Sequence, residues 1–345
     1  MIERGIVRLP AEWEPQAAVQ LTWPHANSDW GPTLQDIEPC FDAIATAISR
    51  FEVVLIACAN VKQVKRRLER AGAVMENVRV YKAATNDTWA RDHGPITVER
   101  NGELALLDFG FNGWGGKYPA ELDDALTTAL FAQKAYGEIM MESIPVVLEG
   151  GSIESDGQGT ILTTTSCLLN PNRNGETTEP EAEFILRDHL GAHRVLWLKH
   201  GRLDGDDTDG HVDTLARFCD PKTIAYVACP HKRDSHYKEL IAMERELREM
   251  LDDDGEPYTL VPLPWPRPCY DDDKNRLPAT YANFLIINGA VLAPAYGDPA
   301  DAKALDIIGG CFPGRETVGI DCRPLIVQHG SLHCATMQIP AGVNV

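Results

Sequence analysis

The chain has 345 residues, of which 44% are hydrophobic, and this is enough to bury a substantial globular core. Its formal charge is −19, from 51 acidic and 32 basic residues. Because nucleic acids and anionic membranes are bound by clustered Lys and Arg, this balance argues against both partners and favours small cationic ones, although an acidic surface can also serve solubility alone.

The N-terminus and the cysteines indicate the cellular location of the protein. Residues 1–10 contain no apolar stretch of export-signal length, and nowhere do about 18 apolar residues run unbroken, so we expect a cytoplasmic protein. The nine cysteines are odd in number and show no Cys-x-x-Cys spacing. Neither a disulfide framework nor a structural zinc site is therefore expected, and most of the thiols should be buried as small apolar groups.

The first portion of the chain predicts mixed α/β structure. Residues 19–23 alternate like a strand, residues 36–51 carry apolar side chains at helical spacing, and residues 51–58 form an apolar run typical of a buried strand. A basic helix is expected over residues 61–70 and another strand over residues 78–81.

From residue 94 onward the chain repeats one order of elements, namely a hairpin, a helix and a strand. The turn dipeptide Asn101-Gly102 between two apolar runs is a strong hairpin signal in the first repeat. Hairpin strands are expected at 96–98 and 104–109, 152–154 and 160–163, 212–218 and 223–227, and 283–287 and 290–293; helices at 122–130, 179–189, 240–251 and 299–308; and closing strands at 144–148, 194–198, 258–263 and 317–320.

Together with the N-terminal portion, which lacks a clear hairpin turn, these repeats make five units of comparable length. One unit alone would leave a face of its helix and of its sheet unburied, so a closed ring is the economical arrangement. We expect a single α/β domain over residues 1–345.

Polar residues that could take part in catalysis or binding lie at the joints of these units. Asp92 comes before a hairpin, Glu149 comes after a strand, His211 and Asp213 stand at the mouth of another hairpin, and Cys334 is expected after a strand of the last unit. In a ring, such joints are loops that converge on one axis, where binding residues on a rigid scaffold are expected.

His211 and Asp213 would point the same way on an extended segment, as a general base and its charge partner would. Two exposed polar residues at a strand end are the plainer alternative. A metal site would need further ligands, and no His-Glu-x-x-His pattern occurs. The acidic run at 204–210 is not a calcium loop, because its glycine falls one place late and Leu215 stands where the final glutamate is needed.

The remaining candidates also have plain alternatives. Asp92 fits a paired or turn-capping carboxylate, whereas burial of Glu149 between an apolar run and two glycines would be unfavourable without a cation. Trp89 and Trp114 are more typical of a core, but beside these loops they could cover a flat cation.

A guanidinium group is a ligand that these residue types together could bind and attack. It is planar and cationic, and carboxylates can bind its five donors. Its carbon is a poor electrophile, so the reaction needs a sulfur nucleophile, for which Cys334 is the candidate, and an acid that protonates the departing ammonia. His333 would point away from the thiol on an extended segment, which leaves His211 as the expected partner.

In these segments the sequence resembles the agmatine deiminase family, which is related to bacterial peptidylarginine deiminases within the guanidine-modifying superfamily. The matching motifs run nearly end to end, at 9–16, 23–24, 86–95, 111–116, 148–152, 157–160, 210–213, 281–286 and 332–334. The resemblance implies a five-bladed, pseudo-symmetric α/β propeller, the pentein fold, which agrees with the five units counted above.

The resemblance also implies roles for the candidate residues. Cys334 would be the nucleophile, His211 the general acid and base, and Asp92, Glu149 and Asp213 would hold the guanidinium. The implied reaction is attack on the guanidinium carbon, loss of ammonia, a covalent amidino-thioether and its hydrolysis to a ureido product, with no metal or organic cofactor.

The chain departs from the family pattern at residues 328–331, where a glycine run ending in asparagine is typical, at residues 337–340, and at Asp209, where asparagine is common. These departures are expected around the part of the pocket that holds the end of the substrate away from the guanidinium group. Candidate binding residues for the substrate are also Trp89, Trp114 and Asp209. Agmatine is the first choice of substrate, and free or peptidyl arginine or another guanidino compound is the alternative. A non-catalytic guanidine-binding relative would have no need of the thiol. The oligomeric state is left open, with a homo-oligomer as one option.

Overall fold

The computed structural model describes residues 6–345. Residues 1–5, on which the expectation about export partly rests, lie outside the described residues. Within the described part of the chain, no helix is both long enough and apolar enough to cross a membrane.

Five sheets share one arrangement, which confirms the α/β class. In each, an antiparallel pair of strands is followed by a strand parallel to the second member of the pair. From the first unit to the fifth, the strands are Thr336–Pro340, Gln16–Thr22, Val53–Cys58 and Val78–Lys82; Val7–Arg8, Ile96–Arg100, Glu103–Gly110 and Met140–Val147; Ile153–Ser155, Thr160–Thr164 and Arg194–Leu198; Ala216–Asp220, Thr223–Val227 and Thr259–Leu263; and Leu285–Ile286, Ala290–Ala295 and Glu316–Asp321. A further small sheet pairs Cys269–Tyr270 with Arg276–Leu277.

Helices connect the strands of these units. The longer α-helices are Leu34–Ser49, Val61–Ala71, Glu179–Leu190, Tyr237–Glu249 and Asp301–Cys311. Short helices are Ala90–His93, Gly113–Gly116, Glu121–Asp124, Leu126–Ala132, Thr165–Leu168, Pro171–Asn174 and Arg323–Ile326, and 3-10 turns are Gly31–Thr33, Met75–Asn77, Gly150–Ser152 and Val212–Thr214.

Local chemistry accounts for several of these boundaries. The Asn60 side chain caps helix Val61–Ala71, and Gly72 ends it in a left-handed conformation. The predicted hairpin turn is present, because Asn101 and Gly102 both have positive φ angles, 53° and 85°, which match the twist of the paired strands.

The two ends of the chain meet in the first sheet. Strand Thr336–Pro340 pairs antiparallel with Gln16–Thr22, and Thr336 lies opposite Leu21. The antiparallel pair that the first unit lacks in sequence is thus completed by the C-terminus, which carries Cys334 two residues before the strand. The apolar faces of the sheets and helices form the core, in which side chains such as Ile44 and Phe284 are fully buried.

Two expected elements near the site have a different conformation. Residues 212–214 form a 3-10 turn instead of the start of a strand, because the Thr214 hydroxyl donates back to the His211 carbonyl oxygen at 2.8 Å and closes the turn. Residues 323–326 form a short helix with Pro324 in its first turn, so Cys334 does not follow a strand but precedes one.

Two expected helices are shorter than their apolar patterns. The helix predicted over 122–130 is divided into two short helices at Ala125. The helix predicted to reach Leu251 ends at Glu249, because the Asp252 carboxylate accepts the backbone N–H groups of Asp254 and Glu256 and so stabilises a turn.

Candidate active site

The five residues with expected chemical roles are all buried, and each lies in or directly beside a turn or short helix next to a strand. They are Asp92 on helix Ala90–His93, Glu149 after strand Met140–Val147, His211 and Asp213 at the turn Val212–Thr214, and Cys334 before strand Thr336–Pro340. The premise that His211 and Asp213 lie on an extended segment is wrong, yet the turn still brings both side chains to this site.

Three carboxylates and one imidazole form the interior of the site. His211 Nδ1 lies 3.6 Å from Asp92 Oδ1, and His211 Nε2 lies 3.8 Å from Glu149 Oε2. Neither ring nitrogen has a hydrogen-bond partner within residues 6–345, and the same is true of Asp213 Oδ1. These buried polar atoms are available to a ligand, since buried groups of this kind are otherwise almost always paired.

The absence of a side chain at Gly151 allows these groups to converge. A Cβ atom built there would lie 2.6 Å from His211 Nδ1, 2.9 Å from Asp92 Oδ1 and 3.2 Å from Asp213 Oδ2. The Gly151 backbone N–H also donates to Asp92 Oδ1 at 3.1 Å. The glycine therefore fixes one carboxylate and leaves space between three charged groups.

Asn283 and Asp213 surround the Cys334 thiol. Asn283 Nδ2 lies 3.3 Å from the sulfur, and Asp213 Oδ2 lies 3.7 Å from it. The other end of the Asn283 amide, Oδ1, accepts the backbone N–H groups of His333 and Cys334 at 2.9 and 3.3 Å. One side chain therefore positions both the thiol and the turn that carries it.

His333 orients a carboxylate and does not contact the thiol as a base would. Its Nδ1 lies 2.7 Å from Asp213 Oδ2 and its Nε2 lies 2.6 Å from Glu12 Oε2. Glu12 also forms ion pairs with Arg91 at 3.4 Å and with Arg217 at 3.0 Å. Residues 332–335 form a turn and are not extended, so the alternation argument for His333 does not apply. Its ring nevertheless bonds to groups other than the thiol.

The electrostatics of the site favour a protonated thiol and a charged imidazole. Burial, with the neighbouring Asp213 and Asp92 charges, raises the pKa of Cys334 well above its ordinary value. Burial would lower the pKa of His211, but the neighbouring Asp92, Cys167 and Glu149 outweigh it and raise that pKa well above its usual value.

The carboxylates respond differently to the same surroundings. Burial raises the pKa of Asp92 to about 6, helped by the charges of Asp213 and Glu149. Burial would also raise the pKa of Glu149, but His211 and Arg173 lower it below its usual value. Arg173 donates through Nε to both Glu149 oxygens, at 3.0 and 3.2 Å. The site holds more anionic than cationic groups in a buried volume and therefore suits a cationic ligand.

A cavity of about 190 Å³ opens onto Cys334 and Asp92. Its lining residues are Asp29, Asp87, Trp89, Asp92, Trp114, Tyr118, Asp207, Thr208, Val327, Gln328, His329, Gly330 and Cys334. Trp114 donates its indole N–H to Asp92 Oδ2 at 3.0 Å. Trp89 fits because Gly330 has no side chain, since a Cβ atom there would lie 2.2 Å from the indole ring. Both tryptophans thus line the route to the thiol.

Asp209, a candidate for substrate binding, is not among the residues that line this cavity. One of its oxygens pairs with Arg173 at 2.5 Å and the other with Lys117 at 2.8 Å. Its position links the loop 204–210 to the arginine that binds Glu149.

Several residues of the site were not singled out from the sequence. Asn283 and Glu12 fall inside the matching motifs at 281–286 and 9–16, which offered a signal, but their roles depend on contacts with Cys334 and His333 across most of the chain. Cys167 and Arg173 lie beside Glu149, and no spacing pattern connects them with it. These groups are brought together by tertiary contacts between distant segments and not by a local sequence pattern.

A solved structure with little sequence similarity to this chain has the same fold. An amidinotransferase from Microseira wollei has the same overall fold, with a TM-score of 0.55 at 12% identity over 98% of this chain and 99% of that one. This likeness concerns the fold alone.

More similar proteins define the family. The model of the Porphyromonas-type peptidyl-arginine deiminase family matches residues 8–340, and the chain belongs to this family. Agmatine deiminase of Pseudomonas aeruginosa is 35% identical over 97% of this chain and 95% of its own length. As a member, the chain is classed as a hydrolase that acts on carbon–nitrogen bonds of linear amidines.

Two solved structures cover nearly the whole chain. One, from Porphyromonas gingivalis and provisionally assigned as an arginine deiminase, is 50% identical, with a TM-score of 0.93 over 97% of this chain and 99% of that one. The other is a cysteine-to-serine variant of C. jejuni agmatine deiminase with substrate bound, 37% identical, with a TM-score of 0.91 over 98% of both chains.

Proposed function

We propose that the chain hydrolyses agmatine to N-carbamoylputrescine and ammonia through a covalent amidino-thioether at Cys334. The observation that carries this proposal is the position of the thiol 3.7 Å from a buried carboxylate, Asp213, whose other oxygen has no partner among the described residues. A guanidinium bound at that oxygen would have its carbon close to the sulfur.

The substrate's charge would be bound by Asp92, Glu149 and Asp213. A guanidinium donates up to five N–H bonds in a fixed plane, so it can satisfy several carboxylate oxygens at once. Asp92 and Glu149 each keep one oxygen near His211, at 3.6 and 3.8 Å, where a substrate N–H can also approach. The ligand then supplies the positive charge that these buried anions lack.

Substrate binding would also activate the thiol. In the free protein the anionic surroundings keep the pKa of Cys334 high, so the nucleophile rests as a neutral thiol. A bound guanidinium reverses the local charge and lowers that pKa, so the thiolate forms when its target is in place. Asn283 Nδ2, 3.3 Å from the sulfur, can stabilise the thiolate by a hydrogen bond.

His211 would serve as acid and then as base. Its raised pKa means that the imidazole starts protonated and can donate a proton to the departing nitrogen of the tetrahedral adduct. Ammonia leaves and the carbon remains bonded to sulfur. The neutral imidazole then takes a proton from water, whose oxygen attacks the same carbon, and the ureido product leaves as the thiol is restored.

The charges of the cavity favour agmatine over free arginine. Asp29, Asp87 and Asp207 line the cavity beyond the thiol, and its described lining includes no Arg or Lys. These carboxylates would attract the terminal ammonium of agmatine and repel the α-carboxylate of arginine. Trp89 and Trp114 would flank the alkyl chain and the guanidinium plane, whereas Asp209 would act by holding Arg173.

Peptidyl or free arginine is the second candidate. It is favoured by the family description and by the 50% identity to the Porphyromonas gingivalis structure that is provisionally assigned as an arginine deiminase. The chemistry at Cys334 would be the same, and the difference would lie only in the outer part of the cavity.

We further infer that the five units close into a five-bladed ring and form one domain. The C-terminal strand lies in the first sheet, and the candidate residues come from joints of several different units. A ring would bring these joints to one axis. The cytoplasmic location remains part of this proposal.

A substrate panel tests the proposed function. The protein is incubated separately with agmatine, free arginine and a short arginine peptide, and ammonia and the ureido products are measured. We expect N-carbamoylputrescine from agmatine, no reaction in Cys334→Ser and full reaction in Cys269→Ser, which changes a cysteine that does not line this cavity. Citrulline formation without agmatine turnover would establish the second candidate, and no product from any guanidine would refute the enzymatic proposal.

A further inference from the structure

A second thiol lies beside the candidate acid and base, and the proposed reaction does not use it. Cys167 is on the short helix Thr165–Leu168, where the capping hydroxyl of Thr164 accepts the Cys167 backbone N–H. The Cys167 sulfur lies 3.8 Å from Glu149 Oε2 and is fully buried. The ligand atoms of Glu149, Cys167 and His211 all lie within 4.8 Å of one another.

These three groups have the spacing of a metal site. Zn²⁺ binds nitrogen at about 2.0 Å and sulfur at about 2.3 Å with tetrahedral angles, which places its ligand atoms about 3.3 to 3.6 Å apart. The Glu149 oxygen is 3.8 Å from the Cys167 sulfur and 3.8 Å from His211 Nε2. Two of the three ligand pairs are thus within a few tenths of an ångström of this spacing, and the third, between Cys167 and His211, lies within 4.8 Å.

The imidazole has no competing hydrogen bond, and it becomes a ligand when the ion displaces its proton, as the ion also displaces the proton of the Cys167 thiol. His211 is 0% exposed, and within residues 6–345 neither of its nitrogens has a hydrogen-bond partner. Arg173 binds Glu149 through a single nitrogen, Nε, which leaves a lone pair of Oε2 for another cation. A buried, unpartnered imidazole beside a thiol and a carboxylate is the donor set that zinc and its chemical analogues prefer.

We propose that Glu149, Cys167 and His211 bind a soft divalent cation of the Zn²⁺ class and that this ion inhibits the protein. The three ligands lie far apart in sequence, so no short sequence motif predicts the metal site. The ion would enter through the 190 Å³ cavity and leave its fourth position to water. It would occupy Glu149 and His211, so inhibition by competition with the guanidine substrate rests on the function proposed above, whereas binding of the ion does not.

Spectroscopy tests binding independently of activity. The test uses the Cys334→Ser protein, prepared free of metal, because this variant lacks the other thiol of the site. Titration with Co²⁺ should produce a thiolate-to-metal charge-transfer band that saturates at one equivalent, whereas Mg²⁺ and Ca²⁺ should neither bind competitively nor displace Co²⁺, since they prefer oxygen ligands.

Matched double variants identify the ligand. The band should disappear when Cys167→Ser is added to Cys334→Ser and should remain when Cys269→Ser is added instead. If the Cys167 variant does not fold, His211→Asn in the same Cys334→Ser background keeps the thiolate and should weaken the apparent Co²⁺ affinity by about tenfold or more. Absence of a band in Cys334→Ser, or a band that survives loss of Cys167, would overturn the proposal.

Kinetics test the consequence. With the unmodified protein, Zn²⁺ should raise the apparent KM for agmatine with little effect on kcat, and a chelator should restore the original value. A charge-transfer band without deimination of any guanidine would refute the proposed function and leave the ion site intact. Deimination that Zn²⁺ does not affect, in a protein that shows the band, would refute the inhibition.

Discussion

At the scale of single residues, the charge around Cys334 decides how the protein can act. The sulfur has Asp213 at 3.7 Å and Asn283 at 3.3 Å, and burial together with the nearby carboxylates raises its pKa. A resting ion pair with His211 would require the opposite shift of the thiol. The structure instead favours a nucleophile that becomes reactive only beside a cationic substrate.

Alkylation of the free protein should therefore be slow at neutral pH. We expect the rate at which iodoacetamide modifies Cys334, measured by peptide mass spectrometry, to rise with pH and to show no plateau between about pH 6 and pH 8, because only the thiolate reacts. A rate already at its plateau at neutral pH would show a resting thiolate and contradict this account of activation.

Asn283 should matter for turnover more than for substrate affinity. Asn283→Ala removes a hydrogen bond to the thiolate and two bonds to the turn that carries it, so we expect kcat to fall about ten- to hundredfold with little change in KM. Steady-state kinetics on agmatine measure both values.

Asn288 provides the matched control for this prediction. It also uses its amide for backbone contacts, with Gln16, but lies at the hairpin turn of the fifth unit. Asn288→Ala should lower the melting temperature without a selective loss of kcat. An equal loss of kcat in the two variants would mean that Asn283 acts only through stability.

At the scale of elements, the turn Gly150–Ser152 sets the spacing of the charged groups. Gly151→Ala would place a methyl group 2.6 Å from His211 Nδ1 and 2.9 Å from Asp92 Oδ1, closer than contact distance. We expect this variant to fold and to lose at least about 99% of kcat/KM, because displacements of about 1 Å in a catalytic site lower rates about a hundredfold.

Gly310→Ala is the control for the same chemical change. Gly310 lies in helix Asp301–Cys311, and a Cβ atom there would meet no atom within 4 Å. Alanine is a better helix former than glycine, so activity should be retained and the melting temperature should stay equal or rise. Full activity in Gly151→Ala would show that the three groups do not act at this spacing.

The sequence predicts elements best where local chemistry alone determines them. The Asn101-Gly102 hairpin and the helix that ends before Gly72 are confirmed, since turn and capping preferences act over a few residues. The turn at residues 212–214 could not be predicted from its apolar alternation, because a single hydroxyl bond to the His211 carbonyl decides its conformation.

The candidate site shows the same limit over longer distances. Resemblance of motifs identified Cys334, His211 and the three carboxylates, which the structure brings close together. The Glu12–His333 and Cys167–Glu149 contacts join segments that no pattern relates. The completion of the first sheet by the C-terminal strand is likewise a property of the whole chain, since pairing across the full length leaves no local signal.

At the scale of the whole molecule, a buried acid links the first and fifth units. Glu52, just before strand Val53–Cys58, accepts the backbone N–H of Asn288 at 2.9 Å. Burial raises the pKa of Glu52 to about 7. The folded state therefore holds this proton more tightly than the unfolded state, and stability falls as pH rises from about 4.5 through 7.

Glu52→Gln should weaken this pH dependence. The amide keeps the shape and an acceptor for Asn288 but cannot ionise, so above pH 7 the variant should gain up to about 3 kcal/mol relative to the unmodified protein, the value that corresponds to a shift of this size. Urea unfolding between pH 5 and pH 8 measures the free energy. Glu69→Gln, the same change at an exposed helix position, should leave the pH dependence unaltered; an equal response in both variants would contradict the assignment to Glu52.

A covalent intermediate on Cys334 is the most direct test of the proposed function. Turnover of agmatine is stopped with acid during the first catalytic cycle, and the protein is measured by intact-mass and peptide mass spectrometry. We predict an adduct equal to agmatine less ammonia on the peptide that contains Cys334, absent in Cys334→Ser, which should release no ammonia. Agmatine turnover by Cys334→Ser, or an adduct on another residue, would contradict the proposed chemistry.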